Sequence, residues 1–167
     1  ALAAFIPHLI VTHPKAPEDN LSLYRLLGGI FGREVEAERL CAAFADAHAA
    51  SCEPRPVQRV LYLVWRDPWM TVSPDTYISG TLARFNWHTE PRHPEERYPK
   101  IDLADYRRVV DRVLLSSEPY RFRERHIAEV ETAVPGAKVS LIDGEMTSWY
   151  GSRAIRGLRY LDAYTRQ

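Results

Sequence analysis

The carboxylates that could do acid–base chemistry in this sequence stand in loops, directly after apolar runs. Glu118 follows one such run, and Asp143 and Glu145 follow another. Carboxylates on different loops could converge as a general acid and a general base. No GxSxG nucleophile motif and no phosphate-binding glycine loop accompanies them. Because Glu118 precedes a proline and Asp143 precedes a glycine, ordinary turns explain both residues as well. A small hydrolase-like α/β enzyme is therefore the alternative interpretation, not the preferred one.

Aromatic side chains offer a second kind of chemistry, the stacking of flat apolar ligands. The stretch WRDPWMTVSPDTY, residues 65–77, puts Trp65 and Trp69 four residues apart around a proline. An aromatic face that is well placed against a ligand contributes about 0.5–1.5 kcal/mol beyond its buried area. We expect Trp65 to belong to the core of a strand and Trp69 to contact a ligand. A hydrophobic plug at the end of a sheet is the other interpretation of Trp69.

Composition and the remaining motifs argue against several classes of function. Lys and Arg total 22, as do Asp and Glu, so the formal net charge is zero, whereas electrostatic nucleic-acid binders show a basic excess. The six histidines form no set of metal ligands, and only His88 and His93 share a loop. The glycines do not form the GxGxxG motif of a nucleotide site. The sequence therefore predicts no nucleic-acid partner, no resident metal and no cofactor.

Strands and helices that alternate along the chain must position these side chains. The predicted strands are continuous apolar runs at residues 59–65, 112–117 and 137–143. The predicted helices cover residues 75–85, 102–111, 123–134 and 152–167. Residues 86–100, rich in proline and charge, are predicted to form a long surface loop. Strands that are apolar on both faces are typical of parallel sheets covered by helices. The predicted fold class is therefore α/β, with three or four mostly parallel strands and helices on both faces.

The first third of the chain is predicted to contain one strand and two helices. The strand is short and buried and covers residues 5–14. The first helix lies within residues 17–32, with a leucine-rich face and with Asp19 or Asn20 as its cap. The second helix covers residues 33–52, which have the longest uninterrupted helical pattern and an alanine-rich stripe.

One edge of the predicted sheet is rich in aromatic side chains. In open parallel sheets, ligands bind beyond the carboxyl ends of the strands. The segments that follow the strands are RDPWMTV, SSEPYRF and DGEMTSWYGSR, and the 86–100 loop ends in RYP. We therefore expect six aromatic residues at this edge: Trp69, Tyr98, Tyr120, Phe122, Trp149 and Tyr150.

Four segments of the chain resemble a known family: RVLYLVWRDPWMTVSPDTYISGTLARF, RYPKIDLADY, LLSSEPYRF and LIDGEMTSWYGSRAIRGLRYL. They are similar to the second lobe of ABC-transporter substrate-binding proteins of the helical-backbone metal-receptor class. The nearest group is the vitamin B12-binding and siderophore-binding proteins. The resemblance implies two α/β lobes joined by one long helix. Residues 1–32 would then be a remnant of the first lobe, residues 33–53 the linking helix and residues 54–167 the second lobe.

The resemblance also implies which residues bind the ligand. An aromatic residue follows the proline of the first strand's loop, which matches Trp69, and another lies near the RYP segment, which matches Tyr98. Polar groups beside a tryptophan in the last loop match Ser148 and either Ser152 or Arg153, on the two sides of Trp149. Some relatives have an acid where Ser148 stands here. The expected ligand-binding set is Trp69, Tyr98, Phe122, Trp149, Tyr150 and Arg153.

The function implied by the resemblance is capture of a metal chelate, namely cobalamin, haem or a ferric siderophore, by closure of two lobes. The chelate would pass to the permease of an ABC importer, with Asp102 or Asp105 as the transporter-docking acid. The protein would work in a periplasm or be held outside the cell by a lipid anchor. It would meet the membrane only through the transporter or that anchor. Because the sequence begins as if within a domain, we expect it to be a piece that lacks most of the first lobe.

Overall fold

The computed structural model of the protein describes Phe5 and residues 8–167. Its α-helices are α1 (Asp19–Phe31), α2 (Glu34–Ser51), α3 (Tyr77–Ala83), α4 (Ile127–Ala133), α5 (Gly144–Ser148) and α6 (Arg153–Tyr164). Its strands are β1 (Gln58–Leu63), β2 (Trp87–Thr89), β3 (Arg112–Ser116) and β4 (Lys138–Ile142). Two short 3-10 turns cover Leu103–Tyr106 and Glu124–His126. Within the described range, no helix combines the length and the hydropathy needed to cross a bilayer.

The four strands form one parallel sheet in the order β2-β1-β3-β4. Its two central strands are buried on both faces, since residues 60–63 of β1 and residues 113–115 of β3 are all 0% exposed. Parallel strands need long crossover connections, and the helices in those connections cover both faces of the sheet. The α/β fold class predicted from the alternating apolar runs is therefore confirmed.

Alternate side chains of each strand contribute to two separate cores. On one face, Tyr62 and Leu114 pack with residues of α2, α3 and α6, among them Phe44. On the other face, Leu115 packs with α4 through Val130 and with the first 3-10 turn. Full burial of one large aliphatic side chain contributes about 1.5–3 kcal/mol. The two layers therefore hold the strands, and the loops that leave them, in fixed relative positions.

The long helix α2 lies on the sheet through the stripe that its sequence pattern predicted. Its buried residues include Ala37, Cys41, Phe44 and Ala47, which are spaced three or four residues apart. α2 packs against α1 on one side and against α6 on the other. The proposed division of the chain at residues 33 and 53 stays a prediction, because this packing does not itself mark a lobe boundary.

Three predicted elements differ in the structure. Residues 8–14 form no strand, and residues 6 and 7 of that predicted strand lie outside the described part of the chain. β2 lies inside the segment predicted as a surface loop, and its Trp87 is only 2% exposed. The helix predicted over residues 102–111 is a single 3-10 turn, because the backbone becomes extended at Arg107.

Helix α1 exposes most of its predicted apolar face. Leu23 is buried, but other members of that face are between 41% and 46% exposed: Leu26, Leu27 and Ile30. Apolar packing is therefore not the only interaction that holds α1 against the rest of the fold.

Asn20 ties α1 to the loop that precedes α6. Its side chain is 0% exposed. Nδ2 donates to the Pro17 carbonyl oxygen at 2.8 Å and to the Tyr77 hydroxyl oxygen at 3.1 Å, and Oδ1 accepts the Gly151 backbone N–H at 2.6 Å. The Tyr24 hydroxyl donates to the Gly151 carbonyl oxygen at 2.8 Å. This buried amide fixes α1 at the end of the sheet, whereas the sequence predicted only a helix cap.

His126 ends the second 3-10 turn and is buried against aromatic side chains. It is 5% exposed, and its ring centroid lies 5.6 Å from that of Phe122. Its Nδ1 accepts the backbone N–H of Arg123 at 2.9 Å, which requires that nitrogen to be unprotonated. Burial, together with the nearby cations Arg125 and Arg66, lowers the pKa of His126 below its ordinary value.

Replacing Asn20 by alanine is expected to lower the free energy of unfolding by about 1–3 kcal/mol, because buried polar partners lose their hydrogen bonds. Urea unfolding followed by circular dichroism measures the change. Ser22→Ala, on an exposed position of the same helix, is the matched control and should stay within about 0.5 kcal/mol of the parent. Equal free energies for the two variants would contradict the anchoring role of Asn20.

Stability is expected to fall as the pH drops below the ordinary histidine pKa of about 6.5, because the native state binds fewer protons at His126 than the unfolded chain does. His126→Asn keeps an oxygen that can accept the Arg123 N–H but cannot titrate. Its urea midpoint should change less than that of the parent between about pH 7.5 and about pH 5. The same pH dependence in both proteins would show that His126 titrates normally in the fold.

Candidate ligand-binding site

The loop after β1 folds back on itself. The Val64 N–H donates to the Met70 carbonyl oxygen at 3.0 Å, and the Met70 N–H donates to the Trp65 carbonyl oxygen at 3.1 Å. Residues 65 and 70 therefore pair as an antiparallel bridge. Asp67 lies in the turn between them with a φ of 58°, a left-handed conformation that aspartate tolerates. The bridge places Trp65 and Met70 side by side at the carboxyl end of β1.

A second pair of extended segments brings Tyr98 to the same edge of the sheet. The Thr71 N–H donates to the Pro99 carbonyl oxygen at 3.1 Å, and the Ser73 N–H donates to the Arg97 carbonyl oxygen at 2.9 Å. Tyr98 stands between these two acceptors and is 44% exposed. Backbone hydrogen bonds therefore fix its position, and its ring is left free to meet a ligand.

The loop after β3 supplies a carboxylate, Glu118. The Ser116 hydroxyl donates to the Glu118 carbonyl oxygen at 2.6 Å and so holds this turn. Gly144, the first residue of α5, comes very close to the turn. A Cβ at that position would lie 2.4 Å from Ser116 Oγ and 2.6 Å from Glu118 Cγ. Only glycine allows α5 to begin beside the carboxylate.

These loops enclose a pocket of about 510 Å³ at the carboxyl edge of the sheet. Most of its lining is apolar: Val64, Trp65, Met70, Ile78, Tyr98 and Pro119. Glu118 and Ser148 complete it, and Glu118 is the only charged residue that lines the pocket within the described part of the chain. An apolar pocket with a few polar groups is the usual form of a small-molecule site.

Glu118 connects the loop after β3 with the loop after β4. Its Oε1 accepts the Trp149 indole N–H at 2.6 Å and the Ser148 hydroxyl at 2.9 Å. The same hydroxyl lies 2.6 Å from the Gly144 carbonyl oxygen, so its proton is shared. Among the described residues, no donor reaches Oε2 and no cation forms an ion pair with the carboxylate. One oxygen of Glu118 is therefore free to accept a hydrogen bond from a ligand.

Trp149 keeps a large exposed ring surface although its orientation is fixed. Glu118 holds the indole N–H, and the guanidinium of Arg153 lies 5.1 Å from the centroid of the ring. Arg153 in turn pairs with Glu145. The indole is still 52% exposed. Arg153, predicted to bind the ligand, thus supports Trp149 and already has a carboxylate partner.

Phe122, which was also predicted to bind the ligand, is buried in one of the two cores, and the half-buried Trp69 packs against it, so ligand binding by these two residues stays a prediction. Their rings stack with centroids 6.1 Å apart and planes 4° from parallel, and the Arg66 guanidinium lies 5.7 Å from the Trp69 centroid. Phe122 is only 4% exposed. The prediction that Trp65 belongs to the strand core is wrong: it is 41% exposed, because its bridge with Met70 lies beyond the end of β1.

Tyr150 lines a neighbouring groove together with Trp149, and neither residue lines the pocket. This groove has a volume of about 760 Å³ and lies between α1 and the 148–151 loop. Tyr150 is 43% exposed and meets Tyr77 edge to face, with centroids 5.9 Å apart. Ser148 lines both cavities. The structure therefore divides the predicted aromatic wall into two adjoining parts.

All three carboxylates named in the enzyme alternative have structural partners, and those of Glu118 are Trp149 and Ser148. Asp143 caps α5 by accepting the Met146 N–H at 3.2 Å, and Glu145 pairs with Arg153. Glu118 is the only one of the three that lines the pocket. Within the described residues, no group of three or more His, Cys, Asp or Glu side chains is placed to hold a metal ion.

Asp102 and Asp105, predicted to dock on a transporter, lie exposed at the first 3-10 turn. Asp102 caps this turn by accepting the Ala104 N–H at 2.9 Å. The Asp105 side chain makes no hydrogen bond or ion pair with any residue that the structure describes, and it borders a shallow depression together with Glu95 and Glu96. Docking stays a prediction for both residues.

Trp65 and Glu118 are two pocket residues that the sequence did not assign to ligand binding. The proline-containing turn after Trp65 was a signal for a hairpin that turns this residue away from the core. Glu118 was considered only as a catalytic acid. Its contact with Ser148 places a carboxylate of the neighbouring loop beside that position.

Comparisons with known proteins show which proteins share this fold. No protein-family model matches the sequence, and neither does any curated protein. The structure is similar to the periplasmic heme-binding protein HutB of Vibrio cholerae, with a TM-score of 0.78 and 14% identity, over 99% of this chain and 70% of that one. It is also similar to the periplasmic vitamin B12 binding protein BtuF of Vibrio cholerae, with a TM-score of 0.71 and 12% identity, over 92% and 63% of the two chains.

A third similar structure is a possible iron-binding (periplasmic solute-binding) protein from Staphylococcus epidermidis. Its TM-score is 0.70 at 16% identity, over 93% of this chain and 66% of that one. The chain thus spans less than two thirds of the length of this protein and of BtuF. These matches and the four-stranded parallel sheet together show that the chain has the fold of one lobe of the periplasmic solute-binding proteins, as the sequence resemblance implied.

Proposed function

We propose that this protein is the substrate-binding component of an ABC importer for a metal chelate of the cobalamin, haem or ferric-siderophore class. The observation that carries the proposal is the pocket at the carboxyl edge of the sheet, where the exposed rings of Trp65 and Tyr98 line a mostly apolar cavity and the exposed ring of Trp149 lines the adjoining groove. Flat, largely apolar chelates suit such ring surfaces. The similar structures, which are described as binding heme, vitamin B12 and iron, support the same class of ligand.

Binding would need no covalent chemistry from the chain. The chelate would lie against the exposed indoles, with Glu118 and Ser148 as the polar groups that orient it. A second lobe would close over this edge of the sheet, and the loaded protein would deliver the chelate to a permease. Asp105 is the better docking candidate, because Asp102 already caps a turn. The protein would then act outside the cytoplasmic membrane.

Trp65→Ala and Trp149→Ala are each expected to weaken chelate binding about tenfold, because each removes an exposed ring that stacks on the ligand. Binding can be followed by calorimetry and by the absorbance of the chelate, so that loss of a tryptophan does not affect the readout. The probes are hemin, dicyanocobinamide and ferrichrome, and at least one should bind saturably, with one ligand per chain.

The matched control is Val57→Ala, which removes an apolar side chain that is 63% exposed and lies at the opposite end of β1. It should leave the affinity unchanged. If none of the three probes binds, or if Val57→Ala weakens binding as much as Trp65→Ala does, the proposed function and its site are contradicted.

A further inference from the structure

We propose that Glu118 selects chelates that present hydrogen-bond donors, such as carboxamide or ammonium groups, and disfavours chelates that present carboxylates to the pocket. This inference rests on the proposed function, and it makes Glu118 a specificity-determining residue of that site. It narrows the ligand class from any metal chelate to chelates whose peripheral groups are neutral or cationic where they contact the loop after β3.

The first support for this selectivity is the charge of the pocket. Glu118 is the only charged residue in the lining among the residues described. Its two protein partners, the Trp149 indole N–H and the Ser148 hydroxyl, are both neutral donors. They stabilise the carboxylate by hydrogen bonding but do not cancel its charge. A ligand that enters the pocket therefore meets a negative group.

Two arginines at this edge of the sheet have partners other than Glu118. Arg153 pairs with Glu145 and lies against the Trp149 ring. The Arg97 guanidinium lies 5.9 Å from the centroid of the Tyr98 ring and its Nη1 lies 2.6 Å from His13 Nε2, and it forms no ion pair with Glu118. In a mostly apolar cavity, a ligand carboxylate beside Glu118 would lose hydration and meet a like charge, which is unfavourable. A donor group in the same place would form a charge-assisted hydrogen bond, which is among the stronger kinds.

The carboxylate is also held in place. Two donors reach the same oxygen, Oε1, while Oε2 keeps no protein donor in the described part of the chain. The Ser116 hydroxyl fixes the Glu118 backbone, and Gly144 lies against its Cγ. Glu118 thus cannot move away from a repelled ligand without losing these hydrogen bonds. A group that is already fixed selects between ligands more strongly than one that rearranges.

The test compares two ligands that differ only in their peripheral groups. Hemin has two propionate side chains, and in hemin bis-amide the carboxylates of these side chains are carboxamides. The full chain should bind the bis-amide about tenfold more tightly than hemin. In Glu118→Gln the side-chain oxygen can still accept from Ser148 and Trp149, but the charge is gone. The preference should shrink to about threefold or less, mainly because hemin binds more tightly.

Dicyanocobinamide, which carries carboxamides, and its hydrolysed carboxylate derivative form a second pair on a different macrocycle. The same direction of preference is expected for this pair. Glu131→Gln is the matched control, because it makes the same chemical change at an exposed position of α4. It should leave both preferences unchanged.

The outcomes separate the two proposals. Equal binding of carboxylate and carboxamide forms, or a preference that persists in Glu118→Gln, would overturn the selectivity while leaving the proposed function standing. Binding of ferrichrome with none of the macrocycles would do the same. If none of the two hemin forms, the two cobinamide forms and ferrichrome binds, the proposed function is contradicted, and so is the selectivity that rests on it.

Discussion

Burial of the two central strands on both faces is the constraint on which the rest of the structure depends. Residues 60–63 and 113–115 are removed from water on each side, so the strands are parallel and covered by helices. Parallel strands bring their carboxyl ends to one edge. The loops that follow β1, β3 and β4 therefore meet there, and these loops carry the tryptophans and Glu118. The site is a consequence of the direction of the strands.

At that edge of the sheet, short backbone bridges determine which aromatic ring is exposed. The hydrogen bonds between Trp65 and Met70 close a hairpin just beyond β1, and Trp65 reaches the pocket while Trp69 stacks on Phe122 below it. Glu118 has a comparable effect on the other side, since it orients Trp149 by its indole N–H. Trp65 and Trp149 thus expose their rings at this edge, whereas Trp69 is half-buried against Phe122.

The sequence predicted the sheet and its aromatic edge because continuous apolar runs and their following loops are local signals. It did not predict β2, because a strand of three residues has no periodicity of its own and Trp87 is buried by tertiary contacts. It placed Trp65 in the strand core, because the hairpin that turns this residue outward depends on backbone pairing. The role of Asn20 depends on Gly151, which lies far along the chain, and no local pattern could show it.

The central claim is that the exposed indoles of Trp65 and Trp149, and not that of Trp69, meet the chelate. A proton–nitrogen correlation spectrum tests it directly, because each of the four tryptophans gives its own indole N–H signal. Dicyanocobinamide and gallium protoporphyrin are diamagnetic and suit the titration. We predict saturable shifts for Trp65 and Trp149, with Trp69 and the buried Trp87 nearly unchanged. Shifts at Trp69 without shifts at Trp65, or no shift with either chelate, would contradict the account.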